Sequence, residues 1–207
     1  MNAIVAKRVV PVAVIERAAD AVPLARALRE GGINAIEVTL RTEAAFDAVT
    51  AIRAAFPDMA VGVGTVLEPA QVERARQVGA VFGVAPGLNE DVVRAARAAD
   101  LPFIPGVLTP SEVERALAFG LRLLKFFPAE AAGGVKMLEA LAGPYAHTGV
   151  KFIPLGGINL TNMPAYLALP VVAAIGGTWF VNKKQIAAGD WAGIARQTRE
   201  AVAVAGA

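Results

Sequence analysis

Residues 35–63 read AIEVTLRTEAAFDAVTAIRAAFPDMAVGV. The first five, Ala35-Ile36-Glu37-Val38-Thr39, form a short, largely β-branched strand run. Residues 43–56 then set apolar side chains at helical spacing, and residues 60–63 return to a strand run. Two such strands separated by one amphipathic helix must lie parallel, joined by a right-handed crossover. The same unit recurs outward in both directions. Strands are expected at residues 9–14, 35–39, 60–63, 81–84, 103–104, 123–126, 151–154 and 172–175, with helices at 18–30, 43–56, 69–78, 89–99, 110–118 and 191–204. Thr109-Pro110-Ser111-Glu112 supplies an N-cap and a proline in the first turn, while Gly31-Gly32, Gly79 and Gly120 punctuate helix ends. Helices on both sides of eight short strands predict an α/β fold, a (β/α)8 TIM barrel spanning residues 1–207 as a single domain. An open doubly wound sheet would fit the alternation too, but the chain carries no dinucleotide fingerprint.

Composition narrows the function classes. The 207 residues are 56% hydrophobic and carry a net charge of +2, with arginines scattered among acidic residues rather than gathered on one stripe. That distribution argues against a nucleic-acid surface. There is no cysteine, which removes thiolate chemistry, disulfides and sulfur-based zinc sites, and the single histidine, His147, lies in a loop-like stretch where a solvated role is expected. No run approaches the roughly 20 apolar residues that span a bilayer, and residues 1–7 lack a signal-peptide core, so a soluble, cytoplasmic protein with no membrane partner is expected.

Within that frame the chemistry points to Leu123-Leu124-Lys125-Phe126-Phe127-Pro128, where a strand pattern buries an ammonium among leucine and phenylalanine. Burial disfavours the protonated form of lysine, and the neutral amine attacks ketones to form Schiff bases. A lysine that snorkels from a strand end to solvent is the alternative reading. Glu37, Thr39 and Arg41 alternate along the strand of residues 35–39 and its extension, and so share one face. Thr65 follows the third strand. Residues at the C-terminal ends of barrel strands are where such folds carry their chemistry. Glu37 and Lys125 could form a purely structural ion pair, but Arg41 would then have nothing to neutralise without an anionic ligand. Lys151 starts its strand, at the end that serves stability, and Lys183-Lys184 read as a solvated pair. Carboxylates at metal-ligand spacing are absent from the sequence, so neither a metal nor a cofactor is expected.

Seven motifs in order, Ile36-Glu37-Val38-Thr39-Leu40-Arg41-Thr42-Glu43, Gly64-Thr65-Val66, Pro86-Gly87, Pro105-Gly106-Val107, Lys125-Phe126-Phe127-Pro128-Ala129-Glu130, Gly156-Gly157-Ile158 and Gly176-Gly177-Thr178-Trp179, make the chain resemble the bacterial 2-keto-3-deoxy-6-phosphogluconate aldolases that also cleave 4-hydroxy-2-oxoglutarate. The resemblance runs from about Arg8 to the C-terminal helix. It implies a homotrimer of (β/α)8 subunits and a metal-free lyase that acts on a small keto acid and releases pyruvate. It gives Lys125 the Schiff-base role and Glu37 the general acid/base role. Arg41 and Thr65 match residues near the pyruvyl carboxylate, Phe127 matches an aromatic wall and Pro86 a residue at the mouth. Gly156, Gly157, Gly177 and Thr178 match the phosphate-binding loops after the last two strands, where backbone N–H groups can approach an anion.

The chain departs from the family pattern at four places. Leu155 stands where the pattern has threonine before Gly-Gly, Val63 where it has alanine, Ala85 where serine is frequent and Thr178 where serine is usual. A hydrogen bond lost to a charged group is worth roughly 1.5 to 3 kcal/mol, so these changes predict a more apolar pocket with altered acceptor preference. They also suit an engineered variant. A non-catalytic trimeric scaffold, or a designed assembly component derived from such an aldolase, is the alternative function.

Overall fold

A computed structural model describes residues 2–206. The chain alternates strand and helix over most of its length. The strands are β1 (Val9–Ala13), β2 (Ala35–Thr39), β3 (Ala60–Gly64), β4 (Phe82–Val84), β5 (Phe103–Ile104), β6 (Gly106–Val107), β7 (Leu123–Phe126), β8 (Lys151–Pro154) and β9 (Ile175–Gly177). The helices are α1 (Asn2–Val5), α2 (Ala21–Glu30), α3 (Ala45–Ala55), α4 (Pro69–Gln77), α5 (Glu90–Ala98), α6 (Pro110–Ala118), α7 (Gly134–Ala142), α8 (Met163–Leu167), α9 (Lys183–Ala188) and α10 (Trp191–Ala205). Every ladder is parallel.

The hydrogen-bonded ladders do not form the single eight-stranded ring expected from sequence. Nine strands make a six-stranded sheet in the order β5-β4-β3-β2-β1-β9 and a three-stranded sheet in the order β6-β7-β8. Proline explains one break: Pro105 has no N–H to donate and separates β5 from β6, although its carbonyl still accepts from Lys125 N at 2.9 Å. The other lies at residues 171–173, where β8 is joined to the chain entering β9 by one bridge, Phe152 to Val172. There Phe152 N donates to Val171 O at 2.8 Å and Ala173 N to Phe152 O at 3.0 Å.

Two apolar layers follow from strand alternation. Outward-facing residues such as Ile36, Val38, Val61, Val63, Leu124, Phe126 and Phe152 pack under the helices. The faces they meet have helical period: α2 buries Ala21, Leu24, Ala25, Ala27 and Leu28. Inward-facing Val10, Phe82, Val84, Ile104 and Ile153 join Ala174 in a second cluster, sealed by Ile4 of α1. Because these residues come from both sheets, the sheets curl around a shared interior. Each large side chain so buried contributes about 1.5–3 kcal/mol. Parallel strands all present their C-terminal ends on one edge, and the functional candidates sit there.

Candidate active site

Glu37 is the central inward residue of β2, paired in register with Val12 of β1 and Gly62 of β3. Lys125 is inward on β7, paired with Gly106 and Ile153. Strands from different sheets thus carry the two groups to one spot: Lys125 Nζ lies 3.6 Å from Glu37 Oε1. Both are buried, at 6% and 3% exposure. This answers the snorkelling alternative, since the lysine points into the interior rather than to solvent.

Room for the carboxylate is made by glycine. A Cβ on Gly64, which pairs with Thr39 two residues beyond Gly62 on β3, would collide with Glu37 Oε1 and lie 2.6 Å from its Cδ, so a side chain there would displace the carboxylate. The pair is under-satisfied. Glu37 Oε1 and Thr39 Oγ1 are buried without a hydrogen-bond partner among the described residues. Buried polar atoms left open in this way call for a ligand or water to complete them. Beneath the pair lies a cavity of about 10 Å³, lined by Val10, Phe82, Val84, Ile104, Ile153 and Leu155 besides Glu37 and Lys125. A space of that size holds about one water.

The remaining sequence candidates cluster around this centre or share its edge. The Phe127 ring, half-buried, has Lys125 Nζ 5.1 Å from its centroid. Such a face stabilises a cation by roughly 0.5–2 kcal/mol. Leu155, buried at the end of β8, lines the cavity and packs over Gly176. Gly156 and Gly157 follow at φ +107° and +81°, a backbone conformation that side chains strain to adopt. Gly156 lies against the Phe127 ring. Thr65 follows β3 at φ +60°, outlying for a β-branched residue and costing on the order of 1–3 kcal/mol. That turn is held by Leu40 N to Gly64 O at 2.8 Å and Val66 N to Val84 O at 3.1 Å.

Arg41 is exposed beyond the end of β2 and belongs to no salt bridge among the described residues. It therefore does not share the buried face of Glu37 and Thr39; it stands at the rim. Pro86 is half-buried after β4, Gly177 is buried in β9, and Thr178 is exposed just beyond it. These four lie beyond or at the C-terminal ends of their strands, on the same edge as Lys125.

The residues read as lying outside the site are at the surface. His147 is exposed in a short 3-10 turn, Lys151 is exposed and donates to Pro170 O at 2.8 Å, and Lys183 pairs with Glu16 at 2.6 Å. Among the described residues no three His, Cys, Asp or Glu side chains converge as a metal site, and no helix is long and apolar enough to cross a membrane.

One contact escaped the sequence reading. Tyr166 of α8, fully buried, donates its hydroxyl to Glu130 Oε1 after β7. Burial, and then the carboxylate, push its phenol well above the usual tyrosine range. The two are 36 residues apart, and Glu130 stood in a quoted motif without a role.

Chemically, a buried primary amine beside a carboxylate, with an exposed guanidinium and a glycine-rich turn at the rim, offers a nucleophile, a proton acceptor and anion contacts in one place. Comparison with known proteins identifies the family. The family model "Aldolase: KDPG and KHG aldolase" matches residues 1–197. The KHG/KDPG aldolase of Escherichia coli K12 is 48% identical over 194 residues, covering 94% of this chain and 90% of that one. The crystal structure of the KDPG aldolase from Legionella pneumophila, with pyruvate captured at low pH as a covalent carbinolamine intermediate, superposes with a TM-score of 0.91 at 42% identity, covering 95% of each chain. That of the 2-keto-3-deoxy-6-phosphogluconate aldolase of Zymomonas mobilis ZM4 with 3-phosphoglycerate gives 0.89 at 40% identity, covering 98% of this chain and 96% of that one. The chain belongs to the KDPG and KHG aldolase family.

Proposed function

We propose that this protein is a metal-independent Schiff-base aldolase that reversibly cleaves 2-keto-3-deoxy-6-phosphogluconate, 4-hydroxy-2-oxoglutarate or both, giving pyruvate and glyceraldehyde 3-phosphate or glyoxylate. The observation that carries it is the buried Lys125–Glu37 pair at 3.6 Å. Lys125 Nζ, without its proton, adds to the C2 ketone. Glu37 takes and returns protons as the carbinolamine loses water to become the iminium. Glu37 then accepts the C4 hydroxyl proton, the C3–C4 bond breaks, its electrons enter the iminium as an enamine, and the aldehyde departs. Protonation at C3 and addition of water release pyruvate and restore the amine. No cofactor takes part.

Around this centre Arg41 and Thr65 hold the pyruvyl carboxylate, with the planar guanidinium suited to two oxygens. Phe127 and Pro86 wall the mouth. Gly156, Gly157, Gly177 and Thr178 take the distal phosphate through backbone N–H groups. Leu155 makes the pocket more apolar, which favours the smaller, unphosphorylated acceptor relative to a pocket bearing a hydroxyl there. Residues 1–207 act as one domain whose nine strands are the staves of one closed (β/α)8 barrel, β5 and β6 forming a single interrupted stave. The protein works as a cytoplasmic homotrimer, for which sedimentation should give three times 21.4 kDa.

Incubation with pyruvate and sodium borohydride tests the chemistry. The expected outcome is a reduced adduct mapped to the peptide carrying Lys125, absent in Lys125→Met, with carbon-bond cleavage lost in that variant. An unlabelled wild-type chain, under conditions that label a control aldolase, would leave only the scaffold reading.

A further inference from the structure

The Glu130–Tyr166 contact is tied to the site through the glycine turn, where Glu130 N donates to Gly156 O. Three elements meet there. The turn after β7 is laced to the end of β8 by Ala129 N to Leu155 O at 2.8 Å and Glu130 N to Gly156 O at 3.0 Å. Gly157 sits so tightly on Glu130 that an added Cβ would lie 2.7 Å from Glu130 Cβ. From the opposite side, Asn162, at the start of α8, donates Nδ2 to Gly157 O at 3.1 Å. Tyr166, one turn further along α8, reaches the Glu130 carboxylate.

We propose that Glu130 and Tyr166 are positioning residues for substrate recognition, bracing the Gly156–Gly157 turn so that its backbone N–H groups meet the phosphate at the far end of the substrate. Both glycines hold positive φ, and glycine surrenders more conformational freedom on ordering than any other residue. An unbraced turn would sample other arrangements, and the anion would bear the cost of ordering it. Tyr166 comes from the fully buried face of α8, so the anchor is rigid. Glu130 is exposed at its outer edge and spans from that anchor to the turn. The brace acts on the phosphate end: Glu130 bonds Tyr166 through its carboxylate and Gly156 through its N–H, and among the described residues it forms no salt bridge with Lys125 or Arg41.

This rests on the aldolase reading above, and the test separates the two. Two quantities are compared in wild type, Tyr166→Phe, Glu130→Ala and Glu130→Gln: exchange of pyruvate methyl protons with deuterated water, which requires Lys125 and Glu37 but no phosphate, and KM for the phosphorylated substrate against 4-hydroxy-2-oxoglutarate. Tyr166→Phe and Glu130→Ala should raise KM for the phosphorylated substrate about tenfold, the scale of one hydrogen bond to a charged group. Pyruvate exchange and KM for 4-hydroxy-2-oxoglutarate should change less than about twofold by the same reasoning. Glu130→Gln keeps an acceptor for the tyrosine and should retain most of the affinity. Glu130 is exposed, so changing its side chain disturbs the core less than Tyr166→Phe does, and Glu130→Gln also keeps the acceptor for the buried hydroxyl. Unchanged KM for the phosphorylated substrate, or equal losses for both substrates and for exchange, overturns the brace. Absence of exchange in the wild type overturns the aldolase reading itself.

Discussion

Gly64 determines where the Glu37 carboxylate can sit, and it does so by lacking a side chain. A methyl group there would occupy the carboxylate's place. Gly64→Ala should therefore displace Glu37 from Lys125, lowering kcat by about a hundredfold, the low end of what general acid–base catalysis supplies. Overpacking should cost about 1–3 kcal/mol of unfolding free energy in urea. A variant that turns over at the wild-type rate would show that the 3.6 Å separation is not what the reaction uses. At this scale the sequence was informative where chemistry and strand period coincide. Lys125 inside an apolar run and Glu37 alternating with apolar neighbours could both be read as inward residues. The rim position of Arg41 could not, because alternation predicts facing only within the strand, and β2 ends at Thr39. Tyr166–Glu130 was invisible for a different reason: neither residue breaks its local pattern, and nothing in a linear chain marks two groups 36 residues apart as partners.

Among the elements, α6 shows how a local signal secures one helix behind the site. Thr109 Oγ1 accepts from Glu112 N at 3.4 Å, and the Glu112 carboxylate accepts from Thr109 N at 2.9 Å and from Leu108 N at 2.8 Å, completing a capping box. Burial pushes the Glu112 carboxyl up, but the backbone donors of Leu108 and Thr109 and the Thr109 hydroxyl together outweigh it and hold the carboxyl below the usual glutamate range. A depressed value in the folded state means stability that is present above the unfolded pKa and is lost as pH falls through the folded one. Glu112→Gln should thus destabilise the protein at pH 7, by no more than the ~1 kcal/mol of a typical cap. The difference should vanish once both states are protonated; urea unfolding at pH 7 and near pH 3 measures it. A difference that persists undiminished at low pH would assign the loss to geometry instead of charge. The Thr109 cap and the first-turn Pro110 were readable in the sequence; the reciprocal bond of Glu112 came from the structure. The last strand was misplaced, by contrast: β-branched Val171-Val172 drew the expected strand to residues 172–175, whereas β9 runs over Ile175–Gly177. Gly176 and Gly177 carry no strand propensity of their own, yet their backbones pair with Val10 and Pro11 of β1, a tertiary constraint that overrides local preference. Helices α1, α7, α8 and α9 lie outside the six segments named from sequence; α8 and α9 span only five and six residues, too short to show a helical period.

For the molecule as a whole, the question is whether two ladders behave as one closed wall. Closure matters to the chemistry because Glu37 is carried by the six-stranded sheet and Lys125 by the three-stranded one. Their separation is therefore only as constant as the junctions between the sheets. An open edge would expose unpaired N–H and C=O groups and let the two parts breathe independently. Both junctions instead carry hydrogen bonds: Lys125 N to Pro105 O on one side, Phe152 N to Val171 O and Ala173 N to Phe152 O on the other. Inside, Ile153 of the smaller sheet packs in one cluster with Val10, Phe82, Val84 and Ile104 of the larger, so separating the sheets would open the inner core to water. If the wall is closed and the chain a single domain, the amides of Phe152, Ala173 and Lys125 should open only with the whole protein. Their hydrogen exchange should then fall within about tenfold, or roughly 1.4 kcal/mol, of that of Ile36 and Val38 in the centre of the large sheet. All should slow together when pyruvate is trapped on Lys125 by borohydride. Junction amides exchanging orders of magnitude faster than the central strands would describe two sheets that separate in solution, and a lysine and a glutamate that meet only part of the time.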